Sequence, residues 1–183
     1  MPNQYSDFLL HYGIPGMKWG VRKKVSHSSG VLFISGSSKT QDKTSPYYQR
    51  KLPKPVRQEI KRSMKAKETI IVGDAPGIDR QAQHYLKRKR YKNVEIYGPG
   101  IKVRYSANAK WKTHPINDKD HEPFSSEWLA KKDIAMTNRA TKGLAVILNE
   151  GSKATRNNVQ RLRDQGKSSF VYEIHPKKTK RHR

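Results

Sequence analysis

A chain of 183 residues with only 33% hydrophobic content has room for one three-layer domain, and its lack of cysteine excludes disulfides and thiolate metal sites. Lys and Arg number 39 against 15 Asp and Glu, a net charge of +24 that points to polyanionic partners. No apolar run approaches the length of a membrane span, and Asp7 beside the brief patch Phe8, Leu9 and Leu10 argues against a secretory signal. In chain order, residues 1–29 are rich in Gly and Ser without a sustained period, and read as a flexible appendage plus linker. A first strand is expected at about 31–35. A polar loop containing Pro46 leads to a helix opening at Pro53 or Pro55 and running to about 65. A strand at 69–73 precedes a helix at 77–90, whose Ile78, Ala82, Tyr85 and Leu86 share one face. A third strand, 93–97, is followed by an irregular stretch, 98–124. Ser125 or Ser126 caps a helix to about 140, then come a strand at 143–148, a helix at 155–165 and a strand at 168–173. This alternation predicts an α/β fold over residues 30–174: a doubly wound, mostly parallel five-stranded sheet with helices on both faces. Residues 175–183 read as a basic disordered tail.

Three of the strands empty into small polar turns. Val31-Leu32-Phe33-Ile34 runs into Ser35-Gly36-Ser37-Ser38, Thr69-Ile70-Ile71-Val72 into Gly73-Asp74-Ala75-Pro76-Gly77, and Leu144–Leu148 into Asn149–Thr155. Continuous apolar runs suit strands buried on both faces. Gly-rich turns let backbone N–H groups approach an anion, and a following helix adds its positive end. Three such turns at one edge of a parallel sheet predict a nucleotide-sized cradle.

The order and spacing of these turns resemble the SLOG superfamily of Rossmann-like nucleotide-binding domains, which includes DNA-processing protein A and the LOG-type phosphoribohydrolases. The likeness spans about residues 30–173. It extends to Gln83 and Tyr85-Leu86, to Arg104 and Trp111 in the middle stretch, and to Lys132, Asp133, Met136 and Ser152–Asn158. It implies a nucleotide or nucleotide-derived ligand at Gly36, Ser37, Ser38, Gly73, Asp74, Gly77, Asp79, Gly151, Ser152, Thr155 and Asn158, with Arg104 and Trp111 contributed by the loop. The LOG-type signature departs here. Ala154 stands where its last Gly would be, Asn158 replaces its Glu, and Lys132-Asp133 replaces its Arg-Lys pair. Whether the protein is an enzyme therefore stays open. The carboxylates that could steady an oxocarbenium-like centre during cleavage of an N-glycosidic bond are Asp74, Asp133 and Glu150. The alternatives are a DNA-binding accessory protein of the DNA-processing type and a minor phage head component packaged with the genome.

Several of these residues have simpler roles open to them. Asp79 at a helix start complements the dipole or binds a ribose. Ser37, Ser38, Thr155 and Asn158 suit helix capping. Asp133 lies on the stripe Leu129, Asp133, Met136, Ala140, and is either the buried partner of an Arg or a ligand-facing group. Trp111, among Arg104, Lys110 and Lys112, either stacks a base or anchors the loop. The seven His residues show no metal spacing, so no metal site is expected.

The charge is not confined to the ends. Residues 1–29 carry +3 and residues 176–183 carry +5, which leaves +16 on the body. Such a surface is expected to bind nucleic acid at least non-specifically through counterion release. The segment His11–Arg22, HYGIPGMKWGVR, resembles a short His-x-Gly-x-x-Gly-Met-Lys-Trp-Gly element near the termini of tailed-phage proteins. Ile14, Met17 and Trp19 would dock on a phage head component or strap the protein's own sheet. The resemblances imply a phage protein of the host cytoplasm, or one packaged in the virion, with no membrane partner and with self-association left open.

Overall fold

A computed structural model describes residues 30–176 with their side chains and Leu9–Tyr12 as backbone. Its strands are β1 (Leu9–Tyr12), β2 (Val31–Gly36), β3 (Thr69–Gly73), β4 (Val94–Pro99), β5 (Lys112–Ile116), β6 (Lys142–Leu148) and β7 (Ser168–Ile174). The helices are α1 (Lys54–Lys65), α2 (Ile78–Arg88), α3 (Ser126–Arg139) and α4 (Lys153–Asp164), with a short 3-10 turn at Ser38–Gln41. Each helix has a local cause. Pro55 sits in the first turn of α1, whose Val56, Ile60 and Ser63 are buried at helical spacing. The side chain of Ser125 accepts the Trp128 N–H and caps α3.

The sheet order is β1-β7-β6-β2-β3-β4-β5, parallel throughout except for β1, which runs antiparallel to β7. The doubly wound α/β expectation holds, with six parallel strands instead of five. The additional one, β5, lies inside the stretch expected to be irregular, and pairs from Glu95↔Lys112 to Pro99↔Ile116. It is a largely exposed edge strand containing Pro115, so it has no apolar run to betray it. Within the expected appendage, Leu9–Tyr12 lies along the other sheet edge, from Leu9↔Tyr172 to Tyr12↔Ser169. The proposed docking residues Ile14, Met17 and Trp19, and the tail from 177, lie outside the described residues.

Both faces are covered. Leu32, Ile34, Ile70, Val72, Leu144 and Val146 face Val56 and Ile60 of α1 and Ile78, Ala82 and Leu86 of α2. Val31, Phe33 and Ile71 face Met136 of α3 and Leu162 of α4. Each fully buried aliphatic or Phe side chain contributes about 1.5–3 kcal/mol, so the central strands carry most of the hydrophobic stabilisation. From β2 the chain winds outward through β3, β4 and β5, then returns to lay β6 on the other side of β2. Connections leaving the carboxyl ends of β2 and β6 therefore diverge to opposite faces, and a crevice opens between them.

Candidate functional site

A cleft of about 340 Å³ occupies that crevice. Ser35, Gly36, Ser37 and Ser38 line one wall and Ser152, Lys153, Ala154, Thr155 and Asn158 the other. Asp79, Lys132 and Asp133 also line it, with Arg104 contributed by the loop after β4. The first and third turns thus meet as the sequence predicts.

The third turn presents free donors. Gly151 has φ +91° and Ser152 is left-handed at φ 59°, a pair of conformations that curls the chain into α4. The Ser152 hydroxyl accepts the Leu148 N–H at 3.1 Å, so it does not cap α4. Arg156 ties the turn from behind, donating to the Leu148 carbonyl at 2.9 Å and the Gly151 carbonyl at 3.1 Å. The first N–H groups of α4 consequently face the cleft without a side-chain cap. Thr155 is 5% exposed and Ser35 8%, and both line the cleft. Two hydroxyl-bearing side chains beside an uncapped helix start give the cleft a polar wall suited to an anion.

The second turn works differently. Gly73, Asp74 and Gly77 do not line the cleft, although phosphate approach was their expected role. The Gly77 N–H donates to Gln41 Oε1 at 2.9 Å and the Ile78 N–H to the Ser37 carbonyl at 3.3 Å. The positive end of α2 is therefore spent within the protein. The glycines are explained by contact between turns. A Cβ on Gly36 would stand 2.6 Å from Ile78, and one on Gly77 would strike the Ser37 carbonyl. A Cβ on Gly73 would meet the Asp79 carboxylate and come within 3.0 Å of Lys132 Nζ. Gln83, fully buried, holds this turn to the following loop. Its amide donates to the Gly73 carbonyl at 2.8 Å and its oxygen accepts the Ala107 N–H at 2.9 Å.

Charges lie beneath the cleft in two connected groups. Asp74 is fully buried and accepts the Arg104 backbone N–H at 2.8 Å and the guanidinium through both carboxylate oxygens. Such a fork fixes the loop, which makes Asp74 a structural partner of Arg104. Lys132 is 8% exposed, and its ammonium stands 2.7 Å from Asp133. The other oxygen of Asp133 accepts the Asn158 amide at 3.1 Å, and Asn158 in turn accepts from Arg161 at 2.7 Å. This chain joins α3 to α4 and accounts for Asp133 and Asn158. Of the expected stripe Leu129, Asp133, Met136 and Ala140, Met136 and Ala140 are buried, but Trp128 and Lys132 take the buried positions one residue before Leu129 and Asp133, and Leu129 is exposed. Burial disfavours the charged ammonium of Lys132, but Asp133 and Asp79 together outweigh it and hold its pKa above the usual value.

Asp79 is the most perturbed carboxyl. Burial pushes its pKa up to about 7; Lys132 opposes that rise, while Asp133 and Asp74 add to it. Its position in the first turn of α2 suggests a simple dipole role, yet the structure puts it under the cleft. Lys132 and Ser35 also emerge as lining groups that the predicted site omitted. Their signal was available: Lys132 recurs at four-residue spacing between Trp128 and Met136.

The family model described as "Family of unknown function (DUF7211)" matches residues 2–26, which include the His11–Arg22 segment. That match does not reach the sheet domain from residue 30 onward. No curated protein matches the chain.

The remaining expected site residues are not part of the cleft. Glu150 is exposed at the rim of the third turn and does not line it. Trp111 is 4% exposed, packed in the α1–α2 core, with its indole N–H donating to the Tyr91 carbonyl at 3.1 Å. It anchors the loop and offers no face for a base. No helix among the described residues is long and apolar enough to cross a membrane.

Proposed function

We propose that the cleft between β2 and β6 binds a nucleotide or nucleotide-derived ligand. The observation that carries this is the uncapped start of α4, which opens on a cleft lined by Ser35, Lys153 and Thr155. In this reading a phosphate rests on the α4 N–H groups, accepts from Thr155 and Ser35, and is neutralised by Lys153. Arg104, held by Asp74, stands at the mouth for the rest of the ligand. The likeness to SLOG domains and the phage-type segment support a phage protein acting in the host cytoplasm or carried in the virion.

A hydrolytic role is favoured by the Asp79 carboxyl, which lines the cleft beside Lys132 and Asp133 and whose pKa burial pushes up to about 7. Cleavage of an N-glycosidic bond would break the C1′–N bond as Asp79 protonates the base. Water would then attack C1′ and give up a proton to the Asp79 carboxylate, restoring the acid, with Asp133 steadying the oxocarbenium-like centre. Asp79 is a carboxyl that the sequence did not offer for this chemistry, and of the three that it offered to steady the centre only Asp133 lines the cleft.

A thermal-shift panel of nucleoside mono- and diphosphates and ADP-ribose, run on wild type and Thr155→Val, tests binding. At one hundred times Kd a ligand stabilises by about 2.7 kcal/mol, a clear shift in wild type that the variant should lose at the same concentration. No shift from any nucleotide, or an equal shift in both proteins, would overturn the proposal. Chromatographic detection of released base, abolished by Asp79→Asn, separates hydrolysis from binding alone.

A further inference from the structure

A second concavity, of about 810 Å³, lies away from the cleft, bounded by the loop between the 3-10 turn and α1, by α1 itself and by the outer side of α2. Its cations are Lys43, Arg50, Lys51, Arg57, Arg88 and Lys89, and no carboxylate lines it. None of the six makes an ion pair among the described residues. Six like charges gathered in one groove repel each other, and the folded protein supplies nothing to offset that repulsion.

The groove also contains unmet hydrogen-bonding groups. The Tyr85 hydroxyl is buried without a partner on a residue only 4% exposed, and the Arg57 Nε–H is likewise buried and unpaired. Burial raises the pKa of the Tyr85 phenol, while Arg57 and Arg88 pull it the other way, so both cations lie within electrostatic reach of that hydroxyl. The Arg88 guanidinium lies 5.9 Å from the centre of the Tyr85 ring. A guanidinium cannot accept a hydrogen bond, so neither neighbour can satisfy the Tyr85 O–H or the Arg57 N–H. What both donors lack is an acceptor, and the charge around them calls for an anionic one. Tyr48 and His84 add ring surface to the same walls.

We propose that this groove is a binding site for single-stranded nucleic acid, with backbone phosphates accepting from Arg57 and Tyr85. Alternating cations and rings suit a flexible strand, whose phosphates meet the charges while its bases lie on the rings. The site is separate from the nucleotide cleft, and Gln41 lies between them, lining the groove while it holds the Gly77 N–H.

The test is fluorescence anisotropy of a labelled thymidylate 20-mer with the full chain, from low to moderate salt, on three variants. Arg57→Gln with Arg88→Gln removes two groove charges. Lys110→Gln with Lys112→Gln removes two exposed charges beside and on β5, outside the groove, as a matched control. Tyr85→Phe removes only the unpartnered hydroxyl. The groove double variant should bind at least about tenfold more weakly, with the log–log salt slope reduced by about 1.4 for two lost phosphate contacts. The control should lose less than threefold. Tyr85→Phe should lose about tenfold while melting no lower than wild type, since its hydroxyl makes no bond in the free protein. Equal losses in groove and control variants would show charge acting without a site, and would overturn the proposal. So would Tyr85→Phe binding as tightly as wild type. A duplex of the same length binding more tightly, or inorganic polyphosphate competing equally per phosphate, would overturn single-stranded nucleic acid as the occupant.

Discussion

Asp79→Asn should reverse a pH-dependent destabilisation built into the site. In the folded protein burial holds the Asp79 pKa at about 7, against 3.8 for a free carboxyl. The groups facing it are Lys132 and Asp133 from α3 and Asp74 from the turn after β3, with Arg104 bound to Asp74. Between about pH 4 and pH 7 the folded protein keeps a proton that the unfolded chain has released. Stability therefore falls as pH rises through that window, by about 1.4 kcal/mol per unit, and is level above it. The full span corresponds to about 4 kcal/mol at neutral pH. Asparagine keeps the shape and the acceptor for the Ala75 N–H but does not titrate. Urea unfolding of both proteins at half-unit steps from pH 4 to pH 8.5 measures the difference directly. The stability of Asp79→Asn relative to wild type should climb across the window and flatten near pH 7. A difference independent of pH would show that Asp79 titrates alike in folded and unfolded chains, and the electrostatic account of the cleft would fail.

Gly73→Ala should lower stability by about 3 kcal/mol in thermal denaturation, because its Cβ has only the space of the Asp79 carboxylate and Lys132 to enter; a well-folded variant that merely loses ligand affinity would restore a phosphate-approach role. Arg104→Met leaves Asp74 buried with one backbone donor and should cost about 2 kcal/mol by urea unfolding, the lower part of the range since Arg104 is 40% exposed; no loss would mean the fork does not hold the loop. Deleting residues 1–24 removes β1 and bares the edge of β7, which should lower Tm by about 3 °C, the equivalent of about 1 kcal/mol. An unchanged Tm would show that β1 adds nothing to the sheet.

Much of this architecture was legible in the residues alone. Val31–Ile34, Thr69–Val72 and Leu144–Leu148 are apolar without interruption, and only strands covered on both faces take such runs. The 3.6-residue period of Ile78, Ala82, Tyr85 and Leu86 likewise identifies α2 and its buried face. These signals are local: they depend on how one segment meets water or core. They locate the three turns and place two of them correctly around a cleft. They carry no information about which groups a folded neighbour will occupy. Gly73-Asp74-Ala75-Pro76-Gly77 has the composition of an anion cradle, yet Gln41 and Ser37 take its donors, and Asp74 is matched by Arg104, thirty residues on. The turn at Gly151 and Ser152 has no more promising a composition, and it is left open because a Cβ at Gly151 would meet nothing within 4 Å and no side chain caps α4. Edge strand β5 was invisible for a related reason, since a largely exposed strand needs no apolar run. The elevated pKa of Asp79 and the groove of unpaired cations also exist only in the fold. Burial and charge proximity are sums over residues far apart in the chain, and those sums are set when α1, α2 and the loops close on the sheet.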